Sequence, residues 1–424
     1  MLKDQSIFVL GTSKFDGPDQ SASYNIARQL SKENFVYYID YPLTWKDYYM
    51  YRGSEQIKKR RQYFSPFSDG IVSTDLENLK VIIVPPLLSI NFLPEGILYR
   101  KLLALNEWLI RSRVKKVIRK QNITGFIYIN SFNFHYPRIA DTLNPSLTIY
   151  HCVDPMIIPY DMKHGIISED ELVRKSDLVI CTSRKLYEEK KLQNPNTAFI
   201  PNATDISHIG KALLDELPVN DHLSGIRRPI IGYAGAIERR LDYELLKEVF
   251  ALNKDKSFVF AGPISHEFVP GWLSHTENVF LTGRLPYEDM PGLIKGFDVA
   301  IIPFKKDEVS RTIFPLKLFE YLGAGKPVIA TNFNPDLEEF THGLVSFCEN
   351  ALSFSNAIEI ALDDGDVLIK QKRLEVANEN SWDKRGEEIG ALIEKNLRLS
   401  TGDMLRQRAY RVPTTDGKDG SVSS

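Results

Sequence analysis

Residues 6–41 read SIFVLGTSKFDGPDQSASYNIARQLSKENFVYYIDY. An apolar run of strand length ends at Gly11, helical spacing covers 21–32, and a second apolar run fills 35–41. This is a strand–helix–strand unit. Because both runs are almost continuously apolar, helices must cover both faces of the sheet, which predicts parallel pairing. After an aromatic and basic interruption at 42–75 the pattern resumes with VIIVPP (81–86), a long helix within 97–120, FIYIN (126–130), LTIYH (147–151) and LVICTS (178–183).

The stretch 199–228 begins as a short strand and turns polar with Pro and Gly, before IIGYAGAI (230–237) restarts the same alternation. The expectation is an α/β protein of two Rossmann-like parallel-sheet domains facing a cleft, spanning 1–205 and 229–380 with a linker over 206–228. A helix over 381–398, capped by Ser381 and striped with Trp382, Ile389, Leu392 and Ile393, is predicted to cross back over the junction. Residues 399–424 read as a structureless polar tail. Ligands of open α/β sheets sit beyond the carboxyl ends of the strands, so the loops after Gly11, His151, Gly235, Gly262, Gly283 and Phe304 should face the cleft.

Composition narrows the partners. The 424 residues are 43% apolar and 25% charged, and 53 Lys and Arg nearly balance 55 Asp and Glu, against the excess positive charge of a nucleic-acid binder. Cys152, Cys181 and Cys348 lie far apart with no CxxC spacing, which favours a reducing cytoplasm over a disulfide framework or zinc site. No apolar run reaches the length of a membrane span, and the opening residues do not read as a signal peptide. Basic charge does gather locally, at Lys58-Lys59-Arg60-Arg61 and over 97–120, where eight Lys or Arg face the single Glu107 and Leu98, Leu102, Leu105 and Leu109 form one stripe. This is either a solvated face or a contact with an anionic membrane surface.

The chemistry concentrates in TIFPLKLFEYLGAGKPVIA, 312–330. Pro315 stands where a first helical residue belongs, leaving the amides around Phe314, Pro315, Leu316 and Lys317 to face an anion such as a diphosphate. Glu320, about one turn on, can accept two hydrogen bonds from a ribose diol, or simply pair with Lys317 on the surface. Arg240, then Arg239, then Arg284 are further candidate cations for phosphate, and Gly235 and Gly262 end strands where backbone can approach a ligand. His151 ends an apolar strand, with Asp154 three residues on, as a structural pair or as hydroxyl-binding groups at the cleft mouth. Asp364-Gly365-Asp366 has the spelling of a metal-binding DxD but falls in a turn between helices, so no metal site is expected.

PLKLFEYLGAGKPVIAT (315–331) resembles the signature helix of retaining, sugar-nucleotide-dependent glycosyltransferases of the B-type (GT-B) fold, specifically family 4 and its teichuronic-acid-type, cell-surface polysaccharide enzymes. IYHCVDP (149–155), DLVICTS (177–183), FIPNATD (199–205), IGYAGAIERRLDYELL (231–246), FAGP (260–263), NVFLTGRLPYEDMPGLIKGFDVAIIPF (278–304) and SWDKR (381–385) extend the resemblance over nearly the whole chain.

The resemblance implies a nucleotide-sugar-binding second domain and an acceptor-binding first domain. It implies a UDP- or GDP-sugar donor with no other cofactor, and a lipid-linked or growing polysaccharide as acceptor. Arg284 and Leu285 would read the nucleobase edge, Glu320 the ribose, and His151 and Asp154 the donor sugar or acceptor. The cysteines place the protein in the cytoplasm, and the two basic patches, if they share one surface, place it peripherally on the inner face of the cell membrane. The family places a first glutamate eight positions before the second, where this chain has Thr312, which can hydrogen-bond a sugar but supplies no charge. Asp307 and Glu308 on the same loop are possible substitutes. Two alternatives follow: a catalytically inactive nucleotide-sugar-binding partner in polysaccharide assembly, or a nucleotide-sugar epimerase of the same fold.

Overall fold

The alternation in the sequence produces two sheets. The computed structural model describes residues 2–17 and 21–409, with side chains as far as 399. The first sheet comprises β1 (Ser6–Leu10), β2 (Phe35–Ile39), β3 (Ile71–Ser73), β4 (Leu79–Ile82), β5 (Ile127–Ser131), β6 (Leu147–Cys152), β7 (Leu178–Cys181) and β8 (Thr197–Phe199). Its eight strands lie in the order β3-β4-β2-β1-β5-β6-β7-β8. All neighbours pair parallel except the edge strand β3, which runs antiparallel to β4. The expected wholly parallel sheet is therefore corrected at one edge: a three-residue strand at the end of the 42–75 interruption turns straight back into β4. The second sheet, β9 (Ile230–Ala234), β10 (Ser257–Ala261), β11 (Val279–Gly283), β12 (Val299–Ile302), β13 (Val328–Thr331) and β14 (Val345–Cys348), has the order β11-β10-β9-β12-β13-β14 and is parallel throughout.

The helices that matter to the cleft in the first domain are α1 (Ala22–Leu30), α2 (Trp45–Tyr51), α3 (Glu55–Arg61), α4 (Ile97–Lys120) and α5 (Pro159–Lys175). In α4 the buried face is Tyr99, Leu103, Ile110, Val114 and Val117. The Leu stripe predicted from spacing is thus rotated: Leu98 and Leu105 are exposed, while Leu102 and Leu109 are only partly covered.

The segment 206–228, read as a linker, is folded onto the second domain. Ile209, Ala212 and Leu223 enter its core, and Lys295 Nζ donates to the carbonyl of Leu217 at 2.8 Å. The C-terminal helix, Trp382–Ala409, returns to the first domain. Trp382, Ile389 and Ile393 join the core that holds β1 and α1. Thr204 and Asn380–Trp382 cross the junction side by side, with Thr204 N–H donating to the Asn380 carbonyl and Trp382 N–H to the Thr204 carbonyl, each at 3.0 Å. The helix runs to Ala409, so the first part of the predicted tail is helical, and 410–424 lie outside the described residues. Among the described residues no helix is long and apolar enough to cross a membrane.

One buried ion cluster shapes the first domain's share of the cleft. Arg60, read in the sequence as part of a basic patch, is 1% exposed. Its Nε donates to Asp40 at 2.7 Å and its Nη2 to Asp16 at 2.6 Å, fastening the loop after β1 to the end of β2 and to α3. Removing the guanidinium would strand the buried Asp40 carboxylate. Arg60→Ala should therefore cost about 3–5 kcal/mol, read as a lower urea midpoint, whereas Asp16→Asn, at a partner that keeps some contact with solvent, should cost clearly less.

Candidate functional site

The site forms at the carboxyl ends of β9 and β10 and the start of the helix Leu316–Gly323. Gly235 and Gly262, which end these strands, hold φ of 155° and 152°. A Cβ on Gly262 would sit 2.1 Å from the Gly235 carbonyl oxygen, and a Cβ on Gly235 would sit 2.5 Å from Lys317 Nζ. The three residues are stacked so closely that only hydrogen fits at the two glycines.

Lys317 Nζ lies over the Tyr233 ring at 4.8 Å and the Phe304 ring at 5.1 Å, and reaches Tyr233 Oη at 3.3 Å. Burial, reinforced by the nearby Arg240 cation, lowers this amine to about 8. Glu320, one turn on, is pushed up to about 7 by burial, with Lys317 pulling the other way. Both side chains keep part of their surface exposed while the protein around them displaces most of the water that would hydrate a charge. The amine and the carboxyl thus both change charge close to neutrality.

Pro315 is the residue before the helix (φ −77°, ψ 125°), which corrects its expected place as the first helical residue. It has no N–H to offer. The amides that open the helix are those of Leu316 and Lys317, since Leu318 N–H already donates to the Pro315 carbonyl at 3.2 Å. Phe314 is also corrected: its buried ring stacks on Phe319 at 5.3 Å and meets Phe340 edge-on at 5.0 Å, so the side chain belongs to the core.

Thr312 does not present its hydroxyl to the cleft. It is buried in a short 3-10 turn and donates to its own Val309 carbonyl at 2.6 Å. The two candidate substitutes are engaged elsewhere: Asp307 accepts from Ser310 N–H at 2.7 Å, and Glu308 forms an ion pair with Lys185 of the first domain.

Two cavities are lined by residues of both domains. One, of about 270 Å³, places Asp154 and Phe132 of the first domain opposite Arg239, Arg240 and Ile313. Arg240 bonds Glu238 and lies 6.0 Å over Phe304, so it reaches both this cavity and the neighbourhood of Lys317. Asp154 faces open space, yet the surrounding walls raise its carboxyl to about 6 against the pull of Arg240. The other cavity, of about 500 Å³, sets Lys14, Phe15 and Arg28 against Arg284, Leu285 and Tyr287.

His151 lies inside the first sheet, 3% exposed, with Nδ1 2.9 Å from Ser131 Oγ on β5. Burial lowers its imidazole to about 4, so it is neutral at physiological pH. The structure gives it the structural surroundings of a satisfied core histidine. Asp364 bonds Arg373 and Asp366 caps the following helix by accepting from Leu368 N–H at 2.8 Å, so the DxD spelling serves a turn.

Arg28 and Tyr287 escaped the sequence reading. The Tyr287 hydroxyl is buried and, among the described residues, has no hydrogen-bond partner. Burial raises it, and Glu320 and Asp205 add to the effect. The only local signal was Leu285-Pro286 directly before it, and Arg28 reads simply as a basic residue near the end of a helix.

Residues 228–364 match the family described as glycosyl transferases group 1. The second domain is a group 1 glycosyltransferase domain. The chain is 26% identical over 272 residues to a Bacillus subtilis protein, TuaH, described as a glycosyltransferase of teichuronic acid biosynthesis, a match spanning 58% of this chain and 66% of that protein. The two-domain architecture is that of GT-B enzymes. Sucrose-phosphate synthase of Thermosynechococcus elongatus superposes with a TM-score of 0.60 at 16% identity, covering 92% of this chain and 98% of the other. Anabaena HepE, solved with UDP-glucose, gives 0.60 at 12% identity, covering 92% and 100%.

The stacking in the group 1 domain separates two glycine substitutions. Gly262→Ala drives a methyl into backbone, whereas Gly235→Ala meets the end of a lysine side chain. The first should lower the thermal midpoint more, by a stability loss of about 1–3 kcal/mol, and the second should move the Lys317 amine with the smaller loss.

Proposed function

We propose that the protein transfers a sugar from a nucleoside-diphosphate sugar to a hydroxyl of a lipid-linked or growing cell-surface polysaccharide. The observation that carries this reading is the stack of Gly262, Gly235 and Lys317 beside Glu320, within a group 1 domain. In it the diphosphate lies against the glycine loop, where the amides of Leu316 and Lys317, the Lys317 ammonium and Arg240 meet its charge. Glu320 accepts the ribose hydroxyls, and Arg284, Leu285 and Tyr287 line the nucleobase side. The sugar then points toward the cavity of Asp154, which the first domain closes and where the acceptor enters. Stabilising the departing diphosphate is the chief catalytic contribution of these groups, with retention of anomeric configuration as the expected outcome.

The inward-turned Thr312 hydroxyl supports a second reading, in which the chain binds the donor without turnover as a partner in polysaccharide assembly. Incubation of the purified protein with UDP- and GDP-sugars separates the two. Release of nucleoside diphosphate dependent on membrane extract supports the transferase, and binding without release under all conditions supports the partner.

A thermal-shift panel of UDP, GDP and their sugars should give stabilisation with one base, by mass action. Glu320→Ala should weaken that ligand at least about tenfold, the loss of a charged hydrogen bond, without lowering the midpoint of the free protein. Unchanged affinity would remove Glu320 from the ribose.

The pH dependence of donor affinity follows from the two titrating groups. Below about 7 Glu320 gains a proton and loses one acceptor role. Above about 8 Lys317 loses its charge. Affinity for a nucleotide sugar, whose diphosphate does not titrate in this range, should peak between them. Glu320→Gln should flatten the acid limb and leave the alkaline one.

A further inference from the structure

The helix with more Lys and Arg than any other described helix of the first domain, α4, presents an outer face at odds with a solvated one. On α4, Ile97 is 78% exposed and Trp108 55%, and Leu98 and Leu105 are exposed beside them. Lys101 and Lys115 fall on the same outer side at helical spacing.

This face is continuous with its neighbours. Lys163 of α5 donates to the carbonyls of Asn91 and Phe92 at 2.9 and 3.0 Å, and Asn91 donates to the Tyr160 carbonyl at 3.1 Å. His164 holds the Leu93 carbonyl and Glu95 at 3.1 and 2.9 Å. On the other flank Trp45 N–H donates to the Leu87 carbonyl at 2.9 Å and Lys46 N–H to Ser89 Oγ at 3.2 Å. The loop 87–96 therefore joins α2, α4 and α5 into one surface. Phe92 at its centre is 76% exposed, and Tyr49 on α2 and Ile166 on α5 are exposed on its flanks.

Charge decides what such a surface suits. Among the described residues, Lys46, Arg52, Lys101 and Lys115 form no ion pair with a carboxylate, while the exposed Glu95 is already held by Arg100. Large apolar and aromatic side chains interleaved with unpaired cations are the composition of a peripheral membrane-binding face. A symmetric pairing with a second copy would set these cations against themselves. The segments also follow the carboxyl ends of β2, β4 and β6, so the surface borders the cleft.

We propose that the face formed by α2, the loop 87–96, α4 and the start of α5 docks onto an anionic lipid bilayer, with Phe92, Ile97 and Trp108 entering the headgroup region. Docked this way, the cleft edge of the first domain meets the membrane surface, where a lipid-linked acceptor would be held. The docking itself does not depend on the donor assignment.

Co-sedimentation of the full chain with vesicles tests it. Vesicles of phosphatidylcholine with an equal part of phosphatidylglycerol should bind more than about tenfold more strongly than phosphatidylcholine alone, with added salt weakening the difference. Ile97→Ser with Trp108→Ser, and separately Lys101→Glu with Lys115→Glu, should each reduce binding by about tenfold or more while leaving the thermal midpoint unchanged. Equal binding to both vesicle types, or full binding by both variants, would overturn the proposal. So would a lipid-free dimer by light scattering that either variant dissociates, which would assign the face to a second copy.

Discussion

The close approach of Lys317 to the loop at Gly235 governs the second domain. An ammonium placed among protein walls loses hydration worth several kcal/mol, and here the compensation is incomplete: two aromatic faces, one tyrosine hydroxyl, and a carboxylate a helical turn away that is itself crowded. Both groups consequently titrate near neutrality instead of forming a firm ion pair. An arrangement that under-compensates its own charges is costly to a resting fold and favours an anion arriving from outside, which suits the diphosphate of the proposed donor. The glycines follow from the same constraint, since any side chain on Gly262 would displace the loop against which the amine rests.

The two domains shape the cleft by different means. The first fixes its loop with the buried Asp16–Arg60–Asp40 cluster and with Gly11, where a Cβ would lie 1.9 Å from Tyr38 Oη. The second uses bare backbone. Between them, the Arg184–Glu339 and Lys185–Glu308 pairs join the rims, but their partly to largely exposed groups make such pairs worth about 0–1 kcal/mol each. The firm connection is at the junction, where paired backbone hydrogen bonds and the burial of Trp382 tie Thr204 to the C-terminal helix. The cleft is thus anchored at its base and weakly latched at its mouth.

What the sequence made legible was whatever depends on local period. The strands ending at Gly11, Gly235 and Gly262 and the helix carrying Glu320 declare themselves through apolar runs broken by glycine. Pairing partners do not. Arg60 stands in a run of four cations that looks like surface, and only contacts 20 and 44 residues distant in the chain draw it inside. Phe314 and Thr312 flank a motif aimed at a ligand, yet they face the core and a local carbonyl, because a turn distributes adjacent side chains to opposite sides. The strand β3 is too short for period-two alternation to register, and its antiparallel sense is set by the turn that follows it.

The basic helix shows the same limit at the level of charge. Of its cations, Arg113 donates to the carbonyls of Ser65 and Ser68, Lys116 to those of Pro66, Phe67 and Ser68, and Lys120 pairs with Asp69. Arg100 pairs with Glu95, and Arg111 donates to the Arg138 carbonyl. Most of the run is thus structural, binding the loop 65–69 to the domain, and Lys101 and Lys115 are left beside the exposed apolar residues. A near-neutral total hides this division because it sums cations that serve the fold with cations that face outward. The same rotation of α4 that leaves Leu98 and Leu105 outside its core stripe brings those two lysines alongside them, so the apolar and the charged parts of the face arise from one helical register.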